Sequence, residues 1–175
     1  MMDAIENLMT RRSVRRFTGR EISRENLETI TDAARYAPSG RNKQLWKFTV
    51  LKNKTLMTEL AHRIADCLGG DDKYCFYGPD ALILASNEKS NPHGLADCAC
   101  ALENIFLAAH ALGIGSVWIN QLNGICEEPK IRELLTELGI PETHVVWGMA
   151  ALGYAQGEIR KADKKPAAET VSWIL

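Results

Sequence analysis

The sequence predicts an α+β fold in which helices and a sheet form separate layers. Helical and strand-like segments interleave along the chain, but without the repeated strand–helix–strand unit of a doubly wound sheet. One segment, between residues 91 and 113, is apolar nearly all round, which is typical of a helix covered on most sides. The 175 residues contain neither a repeat nor a linker, so we expect a single domain over residues 1–175.

The N-terminal part of the chain predicts two helices and a strand. Asp3 is a suitable N-cap for a short amphipathic helix over residues 3–9, and Ser23 is a suitable N-cap for a second helix that ends before Pro38. A polar loop follows this proline. Beyond the loop, the alternation and aromatic content of residues 46–51 predict a strand.

The middle of the chain predicts a helix over residues 55–68, an irregular segment over residues 70–80 and a short buried strand over residues 81–86. The long apolar helix then runs from a cap at Asn91, followed by a first-turn proline, to a stop at Gly113. Because both faces of this helix are apolar, we expect a second copy of the chain to cover the face that the sheet leaves open.

The C-terminal part predicts further strands and one surface helix. Residues 115–120 and 144–152 have strand patterns, and residues 127–138 form an amphipathic helix between them. Residues 156–168 are loop-like in composition, and the tail over residues 170–175 is again strand-like. The prediction is therefore a sheet assembled from strands that are spread along the whole chain.

Composition and charge exclude several classes of protein. A net charge of −1 argues against a nucleic-acid-binding protein, because such binding needs many basic groups, so any anion site must be local. The five cysteines form no C-x-x-C pair, and we expect reduced, mostly packed thiols rather than a metal centre. With no signal-peptide pattern and no apolar stretch long enough for a membrane span, we expect a cytoplasmic protein without a membrane partner.

A run of arginines is the strongest candidate for a binding site. The segment Arg11-Arg12-Ser13-Val14-Arg15-Arg16 places four guanidinium groups and one hydroxyl within six residues. The planar fork of arginine suits phosphate oxygens. A solvated basic patch is the more common explanation of a short charge run, and the run alone does not decide between the two.

Other candidates are weaker, and several familiar sites are absent from the sequence. The loop over residues 38–44 has ordinary turn composition, although its amide and hydroxyl groups could also contact the edge of a planar heterocycle. There is no phosphate-binding P-loop, dinucleotide fingerprint or nucleophile elbow. The four histidines have neither metal-like spacing nor an obvious serine or cysteine partner. We therefore predict no catalytic side chain and no metal ligand.

Taken together, these segments resemble the FMN-dependent nitroreductase family over nearly the whole chain. The matching motifs occur in the family's order: R-R-S-V-R-R-F, A-P-S-G-R-N-K-Q-L-W-K-F, D-C-A-C-A-L-E-N-I-F-L-A-A-H-A-L-G-I-G-S-V-W-I and A-L-G-Y-A. The resemblance implies a central mixed or antiparallel sheet flanked by helices, with the long buried helix at a homodimer interface. It also implies FMN as cofactor, with NAD(P)H as co-substrate.

The resemblance further implies which residues hold the cofactor. Arg11, Ser13 and Arg15 match the positions that bind the FMN phosphate and ribityl chain, with Arg12 helping. The proline-serine loop, which comes from the partner, matches at Pro38, Ser39, Asn42 and Gln44. The stretch whose backbone N–H meets flavin N5 matches at Trp118, Ile119, Asn120 and Gln121. The C-terminal basic pair matches at Lys164 and Lys165.

The sequence departs from the family pattern at three places. Residues 118–121 lack the glycine that relatives carry there, so the amide that donates to N5 stays open. Lys164-Lys165 replaces a basic pair that commonly contains arginine, which keeps the charge and loses the planar fork. The family's contact to the pyrimidine edge, expected around residues 71–73, does not align.

The activity that the resemblance implies is a two-step exchange. NAD(P)H gives a hydride to flavin N5 and leaves, and an oxidised small molecule such as a nitroaromatic or a quinone then takes its place. Three alternatives stay open. They are another flavin reaction on the same fold, such as enone reduction or dehalogenation, a flavin-binding protein without turnover and, least favoured, a nucleic-acid-binding module that uses the arginines.

Overall fold

The computed structural model describes residues 3–70, 73–159, 166 and 170–174. Five α-helices and four strands alternate along these residues, with one short 3-10 turn after the second helix. They are α1 (Ala4–Thr10), α2 (Arg24–Arg35), the 3-10 turn (Gly40–Asn42), β1 (Trp46–Leu51), α3 (Lys54–Leu68), β2 (Ala81–Glu88), α4 (Gly94–Ala111), β3 (Gly115–Ile119), α5 (Pro129–Glu137) and β4 (His144–Gly153).

The four strands form one sheet in the order β1-β2-β4-β3, and every neighbouring pair is antiparallel. Successive residues of β2 point to opposite faces, so that Leu82 and Leu84 pack with α3 and α5, whereas Ile83 and Ala85 pack with α2 and α4. Helices therefore cover both faces of the sheet. The predicted α+β class is confirmed, and the sheet is antiparallel rather than mixed across the described strands.

Local signals placed most helix ends correctly. The Asp3 side chain accepts a hydrogen bond from the Ile5 amide at 2.8 Å, and the Ser23 hydroxyl accepts one from the Asn26 amide at 3.2 Å. Gly69 ends α3 in the left-handed region, at φ 63°, where a glycine carries no steric penalty. These contacts satisfy amide and carbonyl groups that a helix end leaves unpaired.

The predicted N-terminus of α4 is wrong. Asn91 does not cap the helix, which begins three residues later at Gly94, and the N-cap His93 makes no side-chain capping bond. The Asn91 side chain donates to Asn87 and Asp97, each at 3.0 Å, and accepts from the His93 amide at 3.1 Å. Asn91 therefore stabilises the turn that precedes the helix rather than its first turn.

The predicted C-terminal strand is also wrong within the described residues 170–174, which contain no strand. Trp173 and Ile174 are 81% and 98% exposed. A strand is stable only when a neighbouring strand pairs with its backbone groups, and the tail pairs with no strand among the described residues.

The cysteine prediction is half right, because all five thiols are free but only Cys98 and Cys126 are buried. Cys67 lies on the outer side of α3 and Cys100 on the outer side of α4, where helical geometry turns them away from the core. Among the helices of the described ranges, none combines the length and hydropathy that crossing a bilayer requires.

The position of α4 organises the fold around the candidate site. Its inner side packs on the sheet and on α2 through residues such as Leu102, Ile105 and Ala109, which are fully buried. Its outer side exposes Cys100 and Glu103 to solvent. The helix is therefore only partly covered by its own chain, and less uniformly apolar on its outer side than the sequence pattern suggested.

Candidate functional site

The arginine segment lies along the edge of the sheet, next to the start of β3 and the end of β4. The Val14 amide donates to the Ser116 carbonyl and the Thr18 amide donates to the Tyr154 carbonyl, each at 2.9 Å. A Cβ atom at Gly115 would lie 2.9 Å from the Val14 Cβ. Only glycine allows this close approach, so the path of the segment is set by the sheet.

The segment opens a cleft with a positive wall. Ser13, Arg15 and Arg16 line it together with residues 155–159, and its volume is about 210 Å³. The Arg15 guanidinium carbon lies 5.9 Å from the centroid of the Tyr77 ring, and this contact with the ring face stabilises the orientation of the arginine side chain. A hydroxyl, two guanidinium groups and backbone at one cleft form a site suited to an anion.

Arg11 and Arg12 face the other way, toward α1 and α4. Arg11 approaches Glu103 at 3.5 Å and the Phe106 ring at 5.8 Å. Arg12 donates to the Met9 carbonyl at 2.9 Å, while its buried Nε atom has no hydrogen-bond partner. The structure thus divides the residues that were predicted to bind the phosphate. Ser13 and Arg15 line the cleft, whereas Arg11 and Arg12 lie beside it.

The pKa of His110 reflects the positive charge near the C-terminal end of α4. Its Nε2 atom lies 2.9 Å from the Thr10 hydroxyl. Burial lowers the pKa of His110 first, and the charges of Arg11 and Arg12 lower it further. The region flanked by α1 and α4 therefore carries an excess of positive charge that a bound anion would offset.

Two buried polar atoms at a second cleft interact only with each other. The Tyr74 hydroxyl and the Gln121 side-chain oxygen are both buried, and apart from this weak mutual interaction neither has a hydrogen-bond partner among the described residues. Both residues border a cleft of about 330 Å³ whose apolar wall comes from Ile64, Ala65 and Leu68 of α3. Buried polar atoms are costly when unpaired, so such a pair indicates a place for a polar ligand edge or water.

The pKa of Tyr74 is raised, mainly by burial and then by the neighbouring Tyr77, although the side chain of Gln121 lowers it. The phenol of Tyr74 therefore stays protonated near neutral pH and can donate a hydrogen bond.

The aromatic segment around Tyr74 has an unusual backbone. Phe76 and Tyr77 have φ values of 52° and 69°, in a region that residues other than glycine seldom adopt.

The stretch predicted to meet N5 follows the end of β3. Ile119 is buried in the core, so only its backbone can face a ligand. The Trp118 indole donates to the Asn120 side chain at 3.3 Å, which fixes the exposed end of the strand. Asn120 lies four residues beyond Ser116, or about 13 Å along a strand, so the anion cleft and this stretch suit an elongated ligand.

The loop over residues 38–44 lies elsewhere, against the first turn of α4. The Ser39 hydroxyl accepts from the Gln44 amide at 3.1 Å, and the Gln44 side chain donates to Asn42 at 2.9 Å. The Gly40 amide donates to the Asp97 carboxylate at 2.8 Å. Pro38 is exposed beside them. These predicted residues are therefore grouped, but at the opposite end of α4 from the arginine segment.

Three further features bear on the sequence predictions. Lys164 and Lys165 lie outside the described residues. A cleft of about 700 Å³ between α2 and β1 is lined by none of the predicted residues. His144, for which the sequence shows no obvious serine partner, lies with its Nδ1 atom 3.2 Å from the Ser86 hydroxyl. Ser86 is fully buried, so this pair is a core contact and not an exposed nucleophile.

Sequence reasoning missed four residues that the structure places at the site, namely Arg16, Tyr74, Tyr77 and Asp97. Arg16 belongs to the recognised run. The two tyrosines lie in a segment without periodicity, where their clustering is visible only in three dimensions. Asp97 did carry a signal, because a carboxylate is rare on an apolar helix and is rarely buried without partners.

Comparison with known proteins gives a consistent answer. Residues 8–154 match the family model described as "Nitroreductase family". A protein of Archaeoglobus fulgidus, provisionally described as an NADH dehydrogenase/NAD(P)H nitroreductase, is 34% identical over 90% of this chain and 88% of its own length.

Solved structures agree with this match. A nitroreductase with bound FMN from Bacteroides fragilis is 38% identical, with a TM-score of 0.92 over 99% of this chain and 100% of that chain. A nitroreductase with bound FMN from Desulfitobacterium hafniense is 28% identical, with a TM-score of 0.86 over 99% of this chain and 100% of that chain.

Proposed function

Because this chain belongs to the nitroreductase family, we propose that it is an FMN-dependent oxidoreductase that uses NAD(P)H to reduce a nitroaromatic, a quinone or a similar oxidised small molecule. The observation that carries the proposal is the pairing of an anion cleft with two buried polar atoms that are poorly satisfied within the chain, further along the same edge. When bound, FMN supplies the electron-transfer chemistry, and the protein supplies binding and orientation.

The residues present fit FMN at its phosphate end. Ser13 and Arg15, which the resemblance identifies, share their cleft with Arg16, and together they offer one hydroxyl and two charged forks to phosphate oxygens. Lys164 and Lys165 remain proposed contacts on the basis of the resemblance.

The residues also fit the heterocyclic end. Gln121 presents a buried acceptor and Tyr74 a buried hydroxyl, which have no partner beyond each other among the described residues and complement the N–H and carbonyl groups of a flavin pyrimidine edge. The backbone of residues 118–121 is proposed to supply the N–H donor for N5, since β3 is an edge strand of the described sheet and pairs with β4 on one side only. No side chain is assigned as an acid or a base.

The proposed assembly is a homodimer with two shared sites. In one chain the loop over residues 38–44 packs near Asp97, whereas Arg11 packs near Glu103, six residues later and about 9 Å along the helix. If two copies meet through the outer faces of α4 in opposite directions, the loop of each approaches the arginines of the other. Each site then draws residues from both chains.

Reduction of the bound cofactor tests the proposal. The purified protein should be yellow, and stopped-flow mixing with NADH or NADPH should bleach the flavin absorbance. Mixing the reduced protein with a nitroaromatic or a quinone should restore it, because both substrates use the same flavin face in turn. Absence of bleaching with either nucleotide would leave a flavin-binding protein without turnover. Bleaching without reoxidation by these acceptors would indicate another reaction of this fold.

A further inference from the structure

We propose that Asp97 is a positioning residue that holds the loop over residues 38–44 in its cofactor-binding shape. Because this loop is proposed to serve the partner's site, Asp97 acts on the FMN site that the partner's arginines complete. The inference rests on the proposed function, and it adds a residue that neither the sequence motifs nor the family resemblance assigned to binding.

The contacts of Asp97 all point toward the loop and its support. Asp97 is 4% exposed, and one carboxylate oxygen accepts from the Gly40 amide at 2.8 Å. The other oxygen accepts from the Asn91 side chain at 3.0 Å. Asn91 also donates to Asn87 of β2 at 3.0 Å, so the carboxylate connects the loop to the sheet as well as to α4.

The loop needs such an anchor because its own backbone is strained. Arg41, Asn42 and Gln44 have φ values of 55°, 53° and 51°, in the left-handed region that non-glycine residues seldom adopt. Such conformations persist only where surrounding contacts determine them. Between residues 38 and 44, the bond from Gly40 to Asp97 is the one hydrogen bond that the described residues make to another element, and the others stay within the loop.

The charge of Asp97 is committed to these bonds. None of the ion pairs found among the described residues involves Asp97. A buried carboxylate without a cation is costly unless its oxygens are hydrogen-bonded. The carboxylate forms a stronger bond with the Gly40 amide than a neutral acceptor does, which explains a charged residue at this position of an apolar helix.

The first experiment measures FMN affinity and apoprotein stability separately. Asp97→Ala should weaken FMN binding about tenfold or more, since a buried charge-assisted bond is lost. Asp97→Asn should lie between that variant and the parent, because its oxygen can still accept from Gly40 but its amide nitrogen opposes Asn91. Asp80→Asn is the control, since Asp80 is another buried carboxylate that accepts a backbone amide bond at 2.8 Å, from Ile22.

The control variant should lower thermal stability while leaving FMN affinity near that of the parent. Equal FMN affinity in the Asp97→Ala and parent proteins would overturn the proposal. So would an equal loss of affinity in the Asp80→Asn protein, because affinity would then follow general stability. If Asp97→Ala fails to fold, Asp97→Asn carries the same comparison, and parent-like affinity in that protein would count against a role for the Asn91 bond.

A mixed dimer separates positioning from general damage. When an Arg15→Ala chain pairs with an Asp97→Ala chain, both lesions fall on one site, and the other site keeps intact arginines and an intact loop. The doubly tagged mixed dimer should bind one FMN with parent affinity. Loss of both sites would show that the Asp97 substitution damages its own chain as a whole, and would overturn the proposal.

Failure of this inference can be told apart from failure of the proposed function. If Arg15→Ala homodimers bind FMN as the parent does, the proposed phosphate site is wrong. If they lose FMN while Asp97→Ala homodimers keep it, the phosphate site stands and only the role of Asp97 is rejected.

Discussion

The two ends of α4 differ in what they hold and in how they hold it. At the C-terminal half, Arg11 makes a long, partly exposed contact with Glu103 and lies beside the Phe106 ring. At the N-terminal turn, a buried carboxylate fixes the Gly40 amide at 2.8 Å. The arginine end thus presents charge that remains available to a ligand, whereas the loop end uses its charge internally to impose a shape. We propose that a site using both ends draws its residues from two chains.

The largest effect should come from separating the chains. Cys100→Asp places a charge on the exposed side of α4 and should weaken dimerisation by several kcal/mol, on the order of 100-fold or more, if this side is buried between copies. FMN should be lost together with the dimer. Ala109 is unsuitable for this test because it is fully buried in the chain's own core.

The control for this substitution is Cys67→Asp, since Cys67 is an exposed cysteine on α3. It should leave the sedimentation behaviour and the flavin content unchanged. A Cys100→Asp protein that remains a flavin-replete dimer would show that α4 does not form the interface.

The next effect concerns the arginine end. Arg15→Ala removes a charge-assisted phosphate contact worth about 1.5 to 3 kcal/mol, so the dissociation constant for FMN should rise about 10- to 150-fold. Fluorescence titration of the apoprotein measures this change. The control is Arg24→Ala, which removes an exposed arginine of α2 that pairs only with Glu28. An equal response to both substitutions would indicate a general charge effect rather than a phosphate site.

A smaller effect is expected at the loop end. A Cβ atom at Gly40 would lie 2.6 Å from the His93 ring, so Gly40→Ala should displace the loop and weaken FMN binding by a few-fold, about 1 kcal/mol. Adding His93→Ala should restore most of the affinity, because the clashing ring is gone. One contrary result is an FMN affinity that is unchanged in the Gly40→Ala protein, and the other is an affinity that does not recover in the double variant. Either result would show that FMN binding does not depend on the shape of the loop.

Much of this architecture could be predicted from local sequence. Caps such as Asp3 and Ser23, the strand patterns and the arginine run each depend on neighbouring residues, and the structure confirms the helices and strands they predicted. The predictions that failed depend on how separate elements pack. Asn91 resembles a cap but is held between Asn87 of β2 and Asp97 of α4, and the packing of that strand on that helix brings the three together.

The candidate site was predictable to a lesser degree, for the same physical reason. The aromatic residues Phe76 and Tyr77 adopt a positive φ that local preference disfavours, so tertiary contacts must impose it. The link between Gly40 and Asp97 spans 57 residues. Family motifs indicated the candidate segments, but only the fold shows which end of α4 each segment occupies.

The smallest effect concerns protonation at the arginine end. Burial and the two arginines lower the pKa of His110 in the free protein, which favours the neutral ring. If Arg11 contacts the phosphate, as the family resemblance implies, the phosphate offsets the charge of Arg11 and stabilises the protonated ring, so FMN binding should raise the pKa of His110. Titration by nuclear magnetic resonance, with and without FMN, measures this shift. A pKa that is unchanged or lower on binding would place the phosphate away from this end.

We propose that each cofactor site joins the arginines of one chain to the loop of its partner. A mixed dimer of Arg15→Ala and Asn42→Ala chains, purified through two different tags, tests it most directly by the number of FMN molecules bound with parent affinity. Both homodimers should bind FMN weakly, and the mixed dimer should hold one tightly bound FMN because one site escapes both substitutions. A mixed dimer without any tight site would show that the arginines and the loop of the same chain form the site. That result would contradict a site shared between two chains.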